Sequence, residues 1–170
     1  MVYGHPAVAV AIDQGVRVSV EESDVWKLEG SPFEPSRHPH ISHIIQNVFQ
    51  YSGPPLDIDV DSSLFSAAGM GSSAALSNAF GAAMFAYINP REELDTVKLA
   101  KIAHSAEATA QKGRASPTDT ATSALGGCLV VSGSEEHGTR HVFDTSLETP
   151  EGSREWAINA VDMPLGIEGA

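Results

Sequence analysis

Apolar and polar residues alternate or recur along this chain with periods that assign most of its elements. Ala7 to Ile12 is an apolar run and Val16 to Val20 alternates, with Val16, Val18 and Val20 on one side and Arg17 and Ser19 on the other. Both predict strands, joined around Asp13-Gln14-Gly15. Ser31 to Pro39 is rich in proline and serine and predicts a loop. From His40 to Tyr51, Ile41, Ile44, Ile45 and Val48 share one helical face, and Ser52-Gly53-Pro54-Pro55 ends the helix. Leu56-Asp57-Ile58-Asp59-Val60-Asp61 alternates strictly, which predicts a half-exposed strand.

The second half reads as helices followed by strands. An Ala-rich helix runs to about Asn89, where Pro90 bars continuation. A longer helix is expected from about Arg91 to Gln111, with Leu94, Val97, Ile102 and Ala106 inward and Gly113 as its breaker. Ser116-Pro117-Thr118-Asp119 looks like the start of a short helix that ends at Gly126-Gly127. Strands are expected at Cys128 to Gly133, His141 to Phe143 and Trp156 to Val161. The order of strand-rich and helix-rich stretches predicts an α+β fold, a mixed sheet with helices packed on one face.

Composition narrows the function classes. The 170 residues suffice for one good core and a piece of another, and hydrophobic content of 42% is ordinary for a globular chain. Twenty-two acidic residues against ten basic ones leave a net charge of −12. With no basic stripe to displace counterions, neither nucleic acid nor an anionic membrane surface is expected as a partner. The acidic surface, with lysine only at 27, 98, 101 and 112, fits a salt-adapted cytosol. Cys128 is the one cysteine and sits in an apolar run, so it reads as a small buried hydrophobe. No signal peptide and no membrane-length apolar run is visible, and the expectation is a soluble, cytoplasmic protein.

The candidate chemistry begins at Gly69-Met70-Gly71-Ser72-Ser73-Ala74-Ala75, directly ahead of the Ala-rich helix. Glycines let the backbone approach a bound group, and a helix N-terminus offers unpaired N–H groups and positive dipole. Two readings fit the stretch: a phosphate seat, or a small-residue turn before a tightly packed helix. Glu107 and Asp119 are the candidate carboxylates. Phosphoryl transfer to an alcohol needs amides around the phosphates, oxygen ligands for Mg²⁺ and a carboxylate on the attacking hydroxyl. Alternatively, Glu107 is a solvated helix-face residue and Asp119 a carboxylate serving the start of its helix. His38, His40 and His43 have ligand-like spacing, but without a cysteine or carboxylate in the segment they read better as helix-start and surface residues.

Gly-Met-Gly-Ser-Ser-Ala-Ala, followed at Ala115 by Ala-Ser-Pro-Thr-Asp-Thr-Ala-Thr-Ser-Ala-Leu-Gly-Gly, resembles the GHMP kinases. Met1-Val2-Tyr3-Gly4-His5-Pro6-Ala7 is similar to the end of that superfamily's first motif; the Ser-Pro-Thr-Asp-Thr form resembles archaeal mevalonate kinases, and the acidic balance would fit a haloarchaeal type. The resemblance covers residues 1 to 132. It implies an ATP-binding N-terminal domain over 1–158 lacking its first strand, and the start of a C-terminal domain over 159–170. It implies ATP and Mg²⁺ as cofactors and mevalonate as a small-molecule substrate phosphorylated on its primary hydroxyl, with pairing into a homodimer left open. Phosphomevalonate or homoserine is the alternative substrate, and a non-catalytic nucleotide-binding piece is the alternative role.

By the same resemblance, Ala67, Ala68, Gly69, Met70, Gly71, Ser72, Ser73 and Ala74 would wrap the triphosphate. Ser73 and Glu107 would hold Mg²⁺, and Asp119 would act on the substrate hydroxyl. His5 would border the cleft. The family pattern also has a lysine-bearing strand with Gly-Glu-His before the segment matching Met1-Val2, a proline near Phe65 or Ser66, and a glycine-rich C-terminal domain. None is present in these residues, so the chain is expected to be a piece of a kinase, weak or inactive alone.

Overall fold

In the computed structural model, residues 5–64, 71–149 and 152–162 are described. In chain order the elements are β1 (Ala7–Val10), β2 (Val16–Glu22), β3 (Lys27–Leu28), β4 (Ser31–Pro32), α1 (Pro39–His43), a π-helical turn (Ile44–Val48) and β5 (Leu56–Ser62). Then come α2 (Ser72–Ile88), α3 (Thr96–Ala110), α4 (Thr118–Leu125), β6 (Cys128–Ser132), β7 (Arg140–Thr149) and β8 (Gly152–Val161).

The fold is α+β, and its strands divide between two four-stranded sheets. One has the order β1-β6-β8-β7 and is antiparallel throughout. The other, β2-β5-β3-β4, is mixed, because β3 runs parallel to β5. A single mixed sheet was expected from the sequence. The split arises at Asp13-Gln14-Gly15: β1 pairs with β6, more than a hundred residues on, while β2 pairs with β5. Gly15 is tied to the end of β5, its N–H donating to Ser63 Oγ at 2.9 Å and its carbonyl accepting from that hydroxyl at 3.1 Å. Strand partnership is a long-range choice that local alternation does not encode.

The helices lie between two apolar clusters. Ile41, Ile44, Leu56, Ile58, Phe80 and Met84 fill one, under the β2-β5 sheet, and Leu129, Val131, Phe143, Trp156 and Ile158 fill the other. α3 serves both, with Ile102 and Ala106 in the first and Ala100 in the second. α2 packs on β2, α3 and α4, and this explains an apolar composition all around its circumference. Gly81 lets α3 approach: an added Cβ there would lie 3.2 Å from Leu99 Cδ1 and 3.3 Å from Ile102 Cγ2.

Several boundaries differ from the sequence expectation. The helix expected over His40 to Tyr51 is α1 plus a π turn that ends at Val48. Widening the turn brings both Ile44 and Ile45 into the core, at 0% and 6% exposure. α3 starts at Thr96 rather than near Arg91, because Asp95 caps it, its carboxylate accepting from Val97 N–H at 2.8 Å. β7 and β8 run well beyond the short stretches expected, and β8 crosses the 158/159 boundary. β3 and β4 lie around the Glu29-Gly30 turn, partly in the segment read as loop. In β1 the alanines face inward and the valines outward, with Val8 67% and Val10 56% exposed.

Candidate active site

The site is built where α2 and α4 begin. Gly71 precedes α2 with φ +68° and ψ 28°, a left-handed conformation that favours glycine, and no side chain caps the helix. The first-turn N–H groups of Ser72, Ser73 and Ala74 are therefore left at the end where a helix attracts anions. Asp119 sits in the first turn of α4. An added Cβ on Gly71 would lie 3.4 Å from Asp119 Cβ, 3.5 Å from its Cγ and 3.6 Å from Oδ2. The start of α4 is held by Ser116, whose Oγ accepts from Thr118 N–H at 3.2 Å and pairs with Thr118 Oγ1 at 2.7 Å. Asp119 is exposed; Pro117 gives α4 no side-chain cap, and Ser116 takes up the N–H of Thr118.

Beside this pair opens a cleft of about 520 Å³. β1 and the Gln14-Gly15 turn form one wall, and Gly71, Ala75, Asn78 and Ala79 of the α2 segment form another. Asp119, Thr122 and Ser123 of α4 complete it. Among the described residues, no lysine or arginine lines the cleft. His5, expected at its border, is exposed and is not a lining residue.

Glu107 comes from late in α3 and is 4% exposed, not a solvated helix-face residue. Its Oε2 accepts from Ser73 Oγ at 3.2 Å and from Gln111 Nε2 at 2.8 Å, and its Oε1 accepts from Ser77 Oγ at 3.3 Å. His40 Nε2 lies 3.4 Å from Oε1. Four neighbours with donor groups surround a buried carboxylate, which is what such a group needs to stay in a protein interior. The packing thus unites Ser73 with Glu107, and Gly71 with Asp119. Ala67, Ala68, Gly69 and Met70 lie outside the described residues.

The histidine cluster dissolves into separate duties. His38 stacks on Phe33 with ring centroids 5.9 Å apart. His43 contacts Thr109 Oγ1 at 2.9 Å and Ser105 Oγ at 3.2 Å, docking α1 on α3, and burial pushes its imidazole below the usual value. Ser77 and Gln111 were not singled out in the sequence. Each is four residues beyond a candidate, Ser77 after Ser73 and Gln111 after Glu107, so the helical repeat alone puts them on the candidate's face. Asn78 bears the same relation to Ala74, and His40 stood in the histidine set noted for its spacing.

An uncapped, glycine-led helix start with a carboxylate against it thus lies beside the cleft of an α+β domain. The chain belongs to the GHMP kinases: the family's N-terminal domain matches residues 39–127, more than half of the chain. It is 34% identical over 139 residues to the mevalonate kinase of Methanothermobacter thermautotrophicus, covering 76% of this chain and 44% of that protein. The crystal structure of the Methanococcus jannaschii mevalonate kinase superposes with a TM-score of 0.64 at 23% identity, over 77% of this chain and 48% of that one. The L. major mevalonate kinase in complex with R-mevalonate superposes with a TM-score of 0.61 at 20% identity, over 77% and 43% of the two chains. The chain therefore spans slightly under half the length of these relatives.

Proposed function

We propose that this chain forms the nucleotide-gripping part of an ATP-dependent kinase that phosphorylates the primary hydroxyl of mevalonate. The observation that carries the reading is the placement of the Asp119 carboxylate against Gly71 at the start of α2. The amides of Ser72, Ser73 and Ala74 hold phosphate oxygens there. Asp119 accepts the hydroxyl proton as the alcohol oxygen bonds to the γ-phosphorus, and the bond from that phosphorus to the β–γ bridging oxygen breaks, releasing ADP. No covalent enzyme intermediate is needed. Ala67, Ala68, Gly69 and Met70 are proposed to grip the triphosphate with those amides.

Magnesium is the metal that this reaction calls for. The residues fit it: Ser73 Oγ and Glu107 Oε2 are hard oxygen donors only 3.2 Å apart, at the mouth of the helix start. Bound there, the ion would neutralise phosphate charge. Ser77 and Gln111 hydrogen-bond the Glu107 carboxylate and would keep it in place.

The relatives named mevalonate kinases favour mevalonate as the alcohol. The test is titration with a fluorescent ATP analogue beside an ADP-release assay with mevalonate, phosphomevalonate and homoserine. Nucleotide binding with weak release that mevalonate stimulates most, lowered further in Asp119→Asn, is expected. Binding without release supports a nucleotide-binding role alone. Absence of nucleotide binding, or full turnover in Asp119→Asn, overturns the proposal.

A further inference from the structure

We infer that Asn78 is a positioning residue, holding Asp119 at the distance from Gly71 that the reaction requires; this rests on the proposed role of Asp119. Asn78 lies in the middle of α2, is 5% exposed, and stands among small or apolar neighbours such as Ala74, Ala75 and Ala79. Its Nδ2 donates to the backbone carbonyl of Thr120 at 2.9 Å, across to the first turn of α4. Thr120 directly follows Asp119. One amide therefore spans from the helix that presents Gly71 and Ser73 to the turn that presents Asp119.

The other half of the same amide makes the case. Asn78 Oδ1 is buried and has no hydrogen-bond partner. A carbonyl acceptor requires the NH₂ group to face Thr120, so the orphaned oxygen is not a matter of which way the amide is turned. An unpaired buried acceptor costs at least as much as one neutral hydrogen bond returns. As a stabilising device, asparagine here is no better than an apolar side chain of its size, and α2 is apolar almost everywhere else. What asparagine supplies and leucine does not is a directed link of fixed length between the two helix starts. Thr120 is itself held, its Oγ1 donating to the Pro117 carbonyl at 3.1 Å, so a pull on its carbonyl moves the whole turn. Catalytic groups must be held to within about half an ångström, and a misplacement of about one ångström costs roughly 100-fold.

Asn78→Leu and the equal-sized Asn78→Asp, which sets an acceptor against the Thr120 carbonyl, test this in the full chain. The expected result is thermal unfolding of Asn78→Leu at or above the parent temperature, with the Asp119–Gly71 contact opened in its crystal structure. Turnover should fall roughly tenfold or more, by a larger factor than any change in the KM for ATP. Asn78→Asp should show the same split if Asn78→Leu does not fold. Two results overturn the inference: an Asp119–Gly71 contact unchanged in both variants, or loss of turnover only in step with loss of folding. The crystallographic contact decides the matter even if the parent shows no turnover, so a failure of the proposed activity is separable from a failure of this inference.

Discussion

Gly71 is the residue on which the site turns. Its φ of +68° is reached by an alanine at a cost of about 1–2 kcal/mol, and the new Cβ would stand in contact with the Asp119 side chain. Gly71→Ala should therefore lower stability by about 1–2 kcal/mol and weaken binding of an ATP analogue, read by thermal unfolding and fluorescence titration. A second prediction concerns His104, which is 3% exposed, meets Trp156 edge-on at 5.6 Å and lies 3.2 Å from the Ala115 carbonyl through Nε2. Burial pushes its imidazole below the ordinary 6.5, outweighing the Ala115 carbonyl and the Glu107 charge, which pull it upward. The folded state thus resists a proton that the unfolded chain accepts. The stability His104 contributes is complete above 6.5 and is lost as pH falls through its lower folded value. Denaturant midpoints should fall from about pH 7 to pH 5, and more shallowly in His104→Gln.

At the scale of elements, Asp95 decides where α3 starts. Its bond to Val97 N–H is worth about 1 kcal/mol, so Asp95→Ala should lower the unfolding midpoint by several degrees without changing nucleotide binding. Gly81→Val should cost about 1–3 kcal/mol, because a branched side chain would meet Leu99 and Ile102 where α2 and α3 approach. These elements also show where sequence reading succeeds. β2 and β5 were legible because their alternation has a period of two, and α2 because Pro90 marks its end. The start of α3 was misread because the helical composition of Arg91 to Leu94 was allowed to outweigh the cap signal at Asp95. The π turn was invisible because four isoleucine and valine positions fit an ordinary helix equally well.

Among the described residues two apolar clusters have α3 between them, and the full sequence carries a net charge of −12. Like charges on the β2-β5 face crowd together: Glu21 stands opposite Asp57, and Lys27 offsets the latter at 3.3 Å. Raising KCl from about 0.1 M to about 1 M, where the screening length shrinks from about 10 Å to 3 Å, should raise the thermal midpoint. A midpoint independent of salt would show that self-repulsion is negligible here. No helix among the described residues is long and apolar enough to cross a membrane.

From the order of residues alone came the α+β class, most of the periodic elements and the small-residue helix start with its two candidate carboxylates. Each is a local property, written in spacing and in the backbone freedom of glycine and proline. Packing alone decided that β1 and β2 part into different sheets, that Glu107 is buried beneath Ser73, and that Asn78 reaches Thr120. Those meetings join residues far apart in the chain, and only the filling of a shared interior selects them.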